Sequence, residues 1–467
     1  MSVPLRTAFA AAAGVGAFGS LGSYYYLKPT EKEVIKESKP KKEDQRPFEL
    51  LSKEEIDTRL RSGQLATKIQ IDQVKAVYTN QLASNNPVED NYSIHTFRQG
   101  LIAGVYDGHI GPQCSRMLKK QLPIYMAREL NNSTKETKDA ISTAFRFYSL
   151  FPGNIAKTHE KDIREALARQ PDQKATQAAI EEAIHGSCAL TVYIKDGVVY
   201  SANTGDSRVD EEGQWKGRRL VEEESPADPE WKAHMLSQHP PEESDVIVMR
   251  KRIFGLIAVG GSFGDIMYKV PVEYQMKVLP YIPFDIYKSF ARYHHRIVVH
   301  YRTPPYLESK PLVSQHKLEK GDKFIILGTD GLWDELSWDD CRSKEGDQVA
   351  AEIMSRWKSQ GEANPATHLT RQALLYDAVY KNLGVKEPVE DQELELSKRL
   401  TRKPSRNYRD DITITVIELD QSGSEEPVYE NVGPLKQVKE VDLSTPRLFD
   451  ASKKKSQSWF GGYWSKM

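Results

Sequence analysis

The chain has 467 residues, with 65 basic and 66 acidic side chains, a formal net charge of −1 and 39% hydrophobic residues. This balance is typical of a soluble globular protein and gives no overall field that would recruit nucleic acid or an anionic membrane. The three cysteines, Cys114, Cys188 and Cys341, form no CxxC pair and indicate neither a disulfide framework nor a zinc site. We therefore expect buried thiols in a reducing compartment and no nucleic-acid partner.

The N-terminal segment differs from the rest of the chain. Residues 7–27 carry no charge and are rich in Ala, Gly and aromatic residues, Arg6 precedes them, and the first acidic residue is Glu31. This pattern is typical of a mitochondrial targeting segment, although the length also permits one membrane span. A secretory signal peptide is a third reading, against which the cysteine usage argues mildly. We predict a targeting segment or membrane anchor over residues 1–28 and a mitochondrial location, in the matrix or at the inner membrane.

A Lys/Glu/Pro run follows, and we assign residues 29–69 to a linker that contains one short helix. That helix is expected within residues 49–61, because Ser52 and Glu55 have the spacing of a capping box. From residue 70 to 202 the apolar spacing predicts three strands, a pair of helices and two further strands joined by a hairpin. This order indicates an α+β fold and not a βαβ repeat.

The second half of the chain contains two strong strand patterns, at residues 323–329 and 412–419. Residues 268–311 are rich in aromatics and prolines without a clear period, so we expect an insertion on the surface. The polar residues 421–467 predict a disordered tail. The catalytic domain would then span residues 70–420. The final Ser465-Lys466-Met467 resembles a peroxisomal ending, which gives a minor alternative location.

Acidic residues recur where these buried strands begin or end. Asp107 follows the strand at 101–106, Asp330 follows the strand at 323–329, and Asp410 precedes the strand at 412–419. Carboxylates gathered at one edge of a sheet repel one another unless cations neutralise them. The pattern predicts a site for two hard divalent ions that activate a water molecule and hold a phosphoryl group.

The tripeptide Asp107-Gly108-His109 combines three chemical properties at the end of one strand. Asp107 offers hard oxygen ligands, Gly108 lets the backbone bend toward a cation, and His109 can donate a proton near neutral pH. Alone, the tripeptide would read equally well as a turn, because Asp-Gly is common in turns. The distant acids favour the site.

Seven motifs, in order, resemble those of the type 2C protein phosphatases, the metal-dependent serine/threonine phosphatases. They are Asn86-Pro-Val-Glu-Asp90, Val105-Tyr-Asp-Gly-His109, Gly186-Ser-Cys-Ala189, Ala202-Asn-Thr-Gly-Asp-Ser-Arg208, Phe263-Gly-Asp265, Gly328-Thr-Asp-Gly-Leu-Trp-Asp334 and Tyr408-Arg-Asp-Asp-Ile-Thr413. The resemblance implies an αββα sandwich with two central antiparallel sheets, and a phosphoprotein as substrate.

The resemblance also implies roles in binding two Mg²⁺ or Mn²⁺ ions. Asp107 would bridge both ions, and the Gly108 carbonyl would bind one of them, with Glu89 acting through that ion's water. Asp330 and Asp410 would bind the other ion.

Three further residues receive roles from the same resemblance. His109 would be the general acid that protonates the leaving seryl or threonyl oxygen. Asp206 and Asp411 would lie in the second shell or hold an extra metal.

Within the family, the chain most resembles the mitochondrial branch that acts on the pyruvate dehydrogenase complex, and a regulatory subunit is compatible with that branch.

Four positions depart from the commonest family pattern. Asn85 stands where many members have a phosphate-binding Arg, as in the mitochondrial branch. Ile110 replaces a common Gly, Gly261 replaces a typical Arg, and the strand after Arg208 looks shortened by an acidic run. Gly261 and the shortened strand leave room for a catalytically weak phosphatase-like binding or scaffold protein. A hydrolase of small phosphate esters is a third reading.

Overall fold

The computed structural model describes residues 46–69, 71, 73–132, 134–156, 181–205, 208–213, 215–272, 275, 300–337, 345–383, 391–420 and 429–445. The predicted targeting segment or anchor at 1–28 lies outside these residues, as do Asp206, Cys341 and most of the segment 268–311. In the part of the chain that is described, no helix is both long and apolar enough to cross a membrane.

The described elements alternate between strands and helices in the order that the sequence pattern suggests. The strands are β1 (Leu65–Lys68), β2 (Val74–Leu82), β3 (Asn91–Phe97), β4 (Gly100–Tyr106), β5 (Gly108–His109), β6 (Gly186–Ser187), β7 (Ala189–Lys195), β8 (Val198–Thr204), β9 (Arg208–Gly213), β10 (Lys216–Arg219), β11 (Val248–Met249), β12 (Arg252–Ile253), β13 (Phe263–Gly264), β14 (Leu312–Lys317), β15 (Asp322–Gly328), β16 (Ile412–Leu419) and β17 (Leu435–Gln437). The α-helices are α1 (Lys53–Arg61), α2 (Gln113–Leu130), α3 (Thr137–Ala156), α4 (Pro229–Ser237), α5 (Ser244–Ile247), α6 (Asp330–Leu336), α7 (Glu345–Ser355), α8 (Pro365–Leu383) and α9 (Gln392–Thr401).

Two large sheets form the centre of the molecule. One has seven strands in the order β10-β9-β15-β16-β2-β1-β17, and the other has five in the order β14-β8-β7-β4-β3. Neighbouring strands are antiparallel except for β1 and β17. Every residue of β4 and β16 is buried, as expected for strands covered on both faces.

Three hydrophobic clusters hold the layers together. Between the sheets, side chains such as Val77, Leu101 and Ile417 form one core. Helices α1, α6, α7, α8 and α9 cover the outer face of the seven-stranded sheet, and α2 and α3 cover the five-stranded sheet. This is the expected αββα sandwich, and the fold class predicted from the sequence is confirmed.

The linker predicted over residues 29–69 is wrong in its described half. Helix α1 begins at the predicted capping box, in which Ser52 and Glu55 each bond the other's backbone. Its Ile56 and Leu60 are buried in the core of the helical layer, and β1 joins the seven-stranded sheet. Apolar burial therefore extends the compact unit back to Arg46.

The tail predicted to be disordered over 421–467 also contains structure. Strand β17 pairs with β1 in parallel, and residues 439–441 bond to Thr96 of β3 through backbone groups. The sequence gives no hydrophobic signal there because all three residues of β17 are exposed. Backbone hydrogen bonds to existing strands supply the order that side-chain burial does not.

Two further expectations need correction. Strand β9 is not shortened, since its six residues pair with β15 and its last four, which include the acidic run, pair with β10 as well. The segment 268–311 is not a surface insertion at its described ends. Tyr268, Tyr301 and Tyr306 are buried in a small separate core beside α4 and α5.

Candidate active site

The three acids singled out at strand ends come together where the two sheets meet. Asp107 follows β4 of one sheet, and Asp330 follows β15 of the other. The backbone N–H of Asp330 donates to Asp107 Oδ2 over 3.3 Å. Asp410 leads into β16, which pairs with β15 so that Ile414 lies opposite Gly328. Antiparallel pairing therefore places the start of β16 beside the end of β15.

Gly108 is required by the close approach of the backbone of another loop. A side chain at this position would collide with the carbonyl oxygen of Glu89 and with Ser115, whose hydroxyl donates to that same oxygen. The contact fixes the Glu89 segment against β5. Burial raises the pKa of the Glu89 carboxyl to about 7, and Asp411 and Asp410 add to the effect.

Arg406 supplies positive charge to this acidic cluster. It lies in the 3₁₀ turn Ser405–Asn407, and its Nη1 forms an ion pair with Asp410 Oδ2. Burial lowers the pKa of Arg406, but Asp410, Asp330 and Asp107 outweigh it and raise the pKa overall. The three carboxylates therefore share one electrostatic environment.

His109 is paired with an aspartate that comes from a distant segment. Its Nε2 lies 2.7 Å from Asp265 Oδ2, and Ser262 Oγ donates to the same oxygen over 2.6 Å. Asp265 is 1% exposed. Gly186 permits the pairing, because a side chain there would collide with both the ring and the carboxylate. Such a pairing orients the imidazole and stabilises its protonated form.

Two basic groups near this pair, His185 and Lys269, are buried, and burial disfavours their charged forms. His185, which is 2% exposed, has its pKa lowered to about 4 by burial and by His109. Lys269 donates to the Ser262 carbonyl over 2.6 Å, and burial lowers its pKa to about 8. The His109 side chain, which is 26% exposed, faces solvent in part. It is thus the accessible end of a buried polar cluster.

Asp411 organises the loop that carries Glu89. Its carboxylate accepts the backbone N–H groups of Ser84, Asn85 and Glu89 over 2.5 to 2.8 Å, and the Asn85 side-chain amide over 3.1 Å. Asp411 is 1% exposed. Hydrogen bonds to backbone thus occupy both of its oxygens, which supports a role behind the metal ligands.

Asp90 makes a second bridge between the same loop and the strand ends. Its Oδ2 accepts the hydroxyl of Thr329 over 2.8 Å, directly before Asp330. Burial raises the pKa of Asp90 well above its usual range, with Asp411 contributing. The loop and the end of β15 therefore hold each other in place.

The donor set suits a hard divalent cation. In the described part of the chain, no three Asp, Glu, His or Cys side chains are drawn tightly enough together to enclose an ion. Asp410 nevertheless pairs with the Arg406 guanidinium, and Asp330 and Asp107 also raise the pKa of that arginine, so this position favours positive charge. Carboxylate oxygens are the ligands that Mg²⁺ and Mn²⁺ prefer. The residues present therefore fit the predicted ions.

The structure brings together most of the residues that the sequence singled out. The acids Asp107, Asp330 and Asp410 meet, Glu89 lies beside them, and Gly108 and His109 follow Asp107 directly. Two residues were missed in the assignment of roles. Asp265 lies in the motif Phe263-Gly-Asp265, to which the sequence assigned no role. Arg406 could have been found from its spacing, because a basic residue four positions before Asp410 can form an ion pair with it.

Two departures from the family pattern now have a structural setting. Ile110 adopts φ +68°, which is rare for a β-branched residue, and is 51% exposed beside His109. A side chain at Gly261 would run into the Glu224 carboxylate. Burial raises the pKa of Glu224 to about 8.

Comparisons with known proteins agree with these features. A family model described as Protein phosphatase 2C matches residues 98–344, more than half of the chain. The mitochondrial pyruvate dehydrogenase (acetyl-transferring) phosphatase 1 of Pongo abelii is 26% identical over 423 residues, covering 73% of this chain and 77% of its own. The mitochondrial phosphatase 2 of the same name from Homo sapiens is 27% identical, covering 79% and 83%.

A solved serine-threonine phosphatase 2C from Toxoplasma gondii aligns with a TM-score of 0.40 and 15% identity, over 76% of this chain and 99% of its own. The family of this chain follows from the match to the family model over residues 98–344. Members of that family generally depend on Mg²⁺ or Mn²⁺. The chain belongs to the protein phosphatase 2C family, the metal-dependent serine/threonine protein phosphatases.

Proposed function

We propose that this phosphatase uses two Mg²⁺ or Mn²⁺ ions to hydrolyse phosphoserine or phosphothreonine in the mitochondrial pyruvate dehydrogenase complex. The single observation that carries the reaction is the meeting of Asp107, Asp330 and Asp410 beside His109. The substrate comes from the names of the relatives, which are mitochondrial pyruvate dehydrogenase phosphatases.

Each residue then has a distinct task. Asp107 would contribute to holding both ions, Asp330 and Asp410 would help to hold one of them, and the Gly108 carbonyl would help to hold the other, with Glu89 acting through water. When bound, the ions supply an activated water and neutralise phosphoryl charge. His109, held by Asp265, gives its proton to the leaving seryl or threonyl oxygen, since an alkoxide is a poor leaving group. Asp411 fixes the loop behind Glu89, and we assign Asp206 to the second shell or an extra metal.

Phosphate release from a phosphoserine peptide of the pyruvate dehydrogenase complex tests this function. We expect turnover that requires Mn²⁺ or Mg²⁺ and that Asp330→Asn abolishes, because a neutral amide is a poor ligand for a hard cation. Asp420→Asn, the same change at the opposite end of β16, should retain wild-type turnover. Turnover in excess chelator would contradict the metal mechanism. Tight metal binding without turnover on any phosphoprotein would support the scaffold reading.

We further propose a mitochondrial location, through the segment 1–28. A fluorescent fusion of residues 1–60 should enter mitochondria, and diffuse cytosolic signal would contradict the assignment. In the full-length chain with a free C terminus, punctate signal that is lost when Ser465-Lys466-Met467 is removed would support the peroxisomal alternative. The membrane anchor and a regulatory subunit stay predictions, which fractionation and co-purification from mitochondria test.

A further inference from the structure

Arg406 has a fixed backbone and an accessible side chain. The backbone N–H groups of Tyr408 and Arg409 donate to the Ser405 carbonyl over 2.9 and 3.2 Å, which closes the turn that carries Arg406. Arg409 in turn donates to the carbonyls of Leu82 and Ala83, over 3.3 and 2.7 Å. The turn is thus tied to the end of β2, while the Arg406 side chain is 54% exposed.

The guanidinium of Arg406 contacts one of the carboxylates that we assign to the metals, that of Asp410. It pairs with Asp410 Oδ2, and its charge is stabilised by Asp330 and Asp107 as well. A phosphoryl group held by ions on these carboxylates would therefore come within reach of the same side chain. Because the ions would neutralise the carboxylates, the attraction between Arg406 and Asp410 would weaken as the ions bind.

A phosphoryl dianion in such a site calls for a cationic donor besides the ions. A guanidinium presents paired N–H groups that match phosphate oxygens. Two other side chains at this edge could donate to a phosphate, but both already donate hydrogen bonds to groups of the protein. The Asn85 amide donates to Asp411, and Arg409 is 7% exposed and donates to backbone carbonyls.

We propose that Arg406 binds the phosphoryl oxygens of the substrate, exchanging its contact with Asp410 for the phosphate once divalent ions occupy the carboxylates. The inference rests on the proposed metal-dependent reaction and names a residue that touches the substrate. Arg406 would then take the part of the phosphate-binding arginine that many family members have at the position of Asn85.

Calorimetric titration of inorganic phosphate into the Mg²⁺-loaded full chain tests the role directly. Losing a charge-assisted, two-pronged contact should weaken phosphate binding about tenfold or more in Arg406→Ala, with Arg406→Lys intermediate. Mg²⁺ binding without phosphate should be unchanged or tighter, because a competing cation is removed. Arg402→Ala is the matched control, since that guanidinium lies over the rings of Phe48 and Tyr408, and it should bind phosphate as the wild type does.

The outcomes separate this inference from the proposed function. Phosphate affinity within twofold of wild type in Arg406→Ala would overturn the role of Arg406, while Mg²⁺-dependent turnover by the wild type would still support the phosphatase. Weaker Mg²⁺ binding in Arg406→Ala would also contradict the inference, because it would show that the arginine supports the metal site. Circular dichroism of each variant confirms that the fold is intact, and the lysine variant keeps the charge if alanine unfolds the turn.

Discussion

At the scale of single residues, His109 depends on a partner 156 positions away along the chain. The sequence shows the histidine and its adjacent acid, because they stand together at the end of an apolar run. It cannot show that Asp265 lies against the ring, since the contact arises only when β13 pairs with β6 and β6 pairs with β5. Long-range pairing, not local pattern, decides this part of the site.

Replacing Asp265 by Asn should slow hydrolysis of a phosphoserine peptide by about tenfold to a hundredfold, with little change in KM. The amide keeps the shape but removes the negative charge that stabilises the protonated ring. With p-nitrophenyl phosphate, whose leaving group needs no proton, the variant should approach wild-type turnover. An equal loss on both substrates would contradict a role through His109 and indicate a purely structural one.

At the scale of elements, the loop that carries Glu89 depends on one carboxylate. Asp411, directly before β16, accepts the backbone N–H groups of Ser84, Asn85 and Glu89. The family resemblance marks Asp411 as an acid near the expected metals, and the sequence tells no more about it than that. That its oxygens face backbone donors depends on how the loop folds back, which no local spacing specifies.

Asp411→Asn should destabilise the protein by about 2–3 kcal/mol, because hydrogen bonds to a buried charge are lost and an amide hydrogen faces backbone donors. Urea unfolding measures this change. Metal affinity should fall as well, since Glu89 loses its anchor. Asp420→Asn, directly after the opposite end of β16, is the control and should leave stability near that of wild type. A destabilised variant with unchanged metal affinity would show that the loop does not position Glu89.

Other elements show why some local signals succeed. The capping box is predictable because Ser52 and Glu55 are three residues apart. The hairpin between β7 and β8 is predictable because its turn is Asp196-Gly197, a residue pair that tolerates the positive φ that both adopt. Strand β17 was missed, since Leu435, Lys436 and Gln437 are exposed and bury no alternating face. The alternation of apolar and polar residues reveals a strand only when one face is buried, so a fully exposed strand leaves no such pattern in the sequence.

At the scale of the whole molecule, the site exists because two sheets present their strand ends to each other. Asp107 follows β4 of the five-stranded sheet, whereas Asp330 comes shortly after β15 and Asp410 shortly before β16 of the seven-stranded one. The apolar core between the sheets therefore sets the spacing of the acids. The fold class followed from ordered motifs, whereas the true extent of the compact unit did not. Its additions at both ends, α1 with β1 and the segment around β17, lie beyond the matched motifs.

The segment from Leu435 to Val441 runs along an edge of each sheet, pairing with β1 of one and with Thr96 of β3 in the other. Uncovered sheet edges are templates on which other chains can add strands and aggregate. We therefore expect the C-terminal region to protect solubility as well as to complete the fold. An expression fragment that stops at residue 420, where the catalytic motifs end, would keep every acid of the site and still expose both edges to self-association.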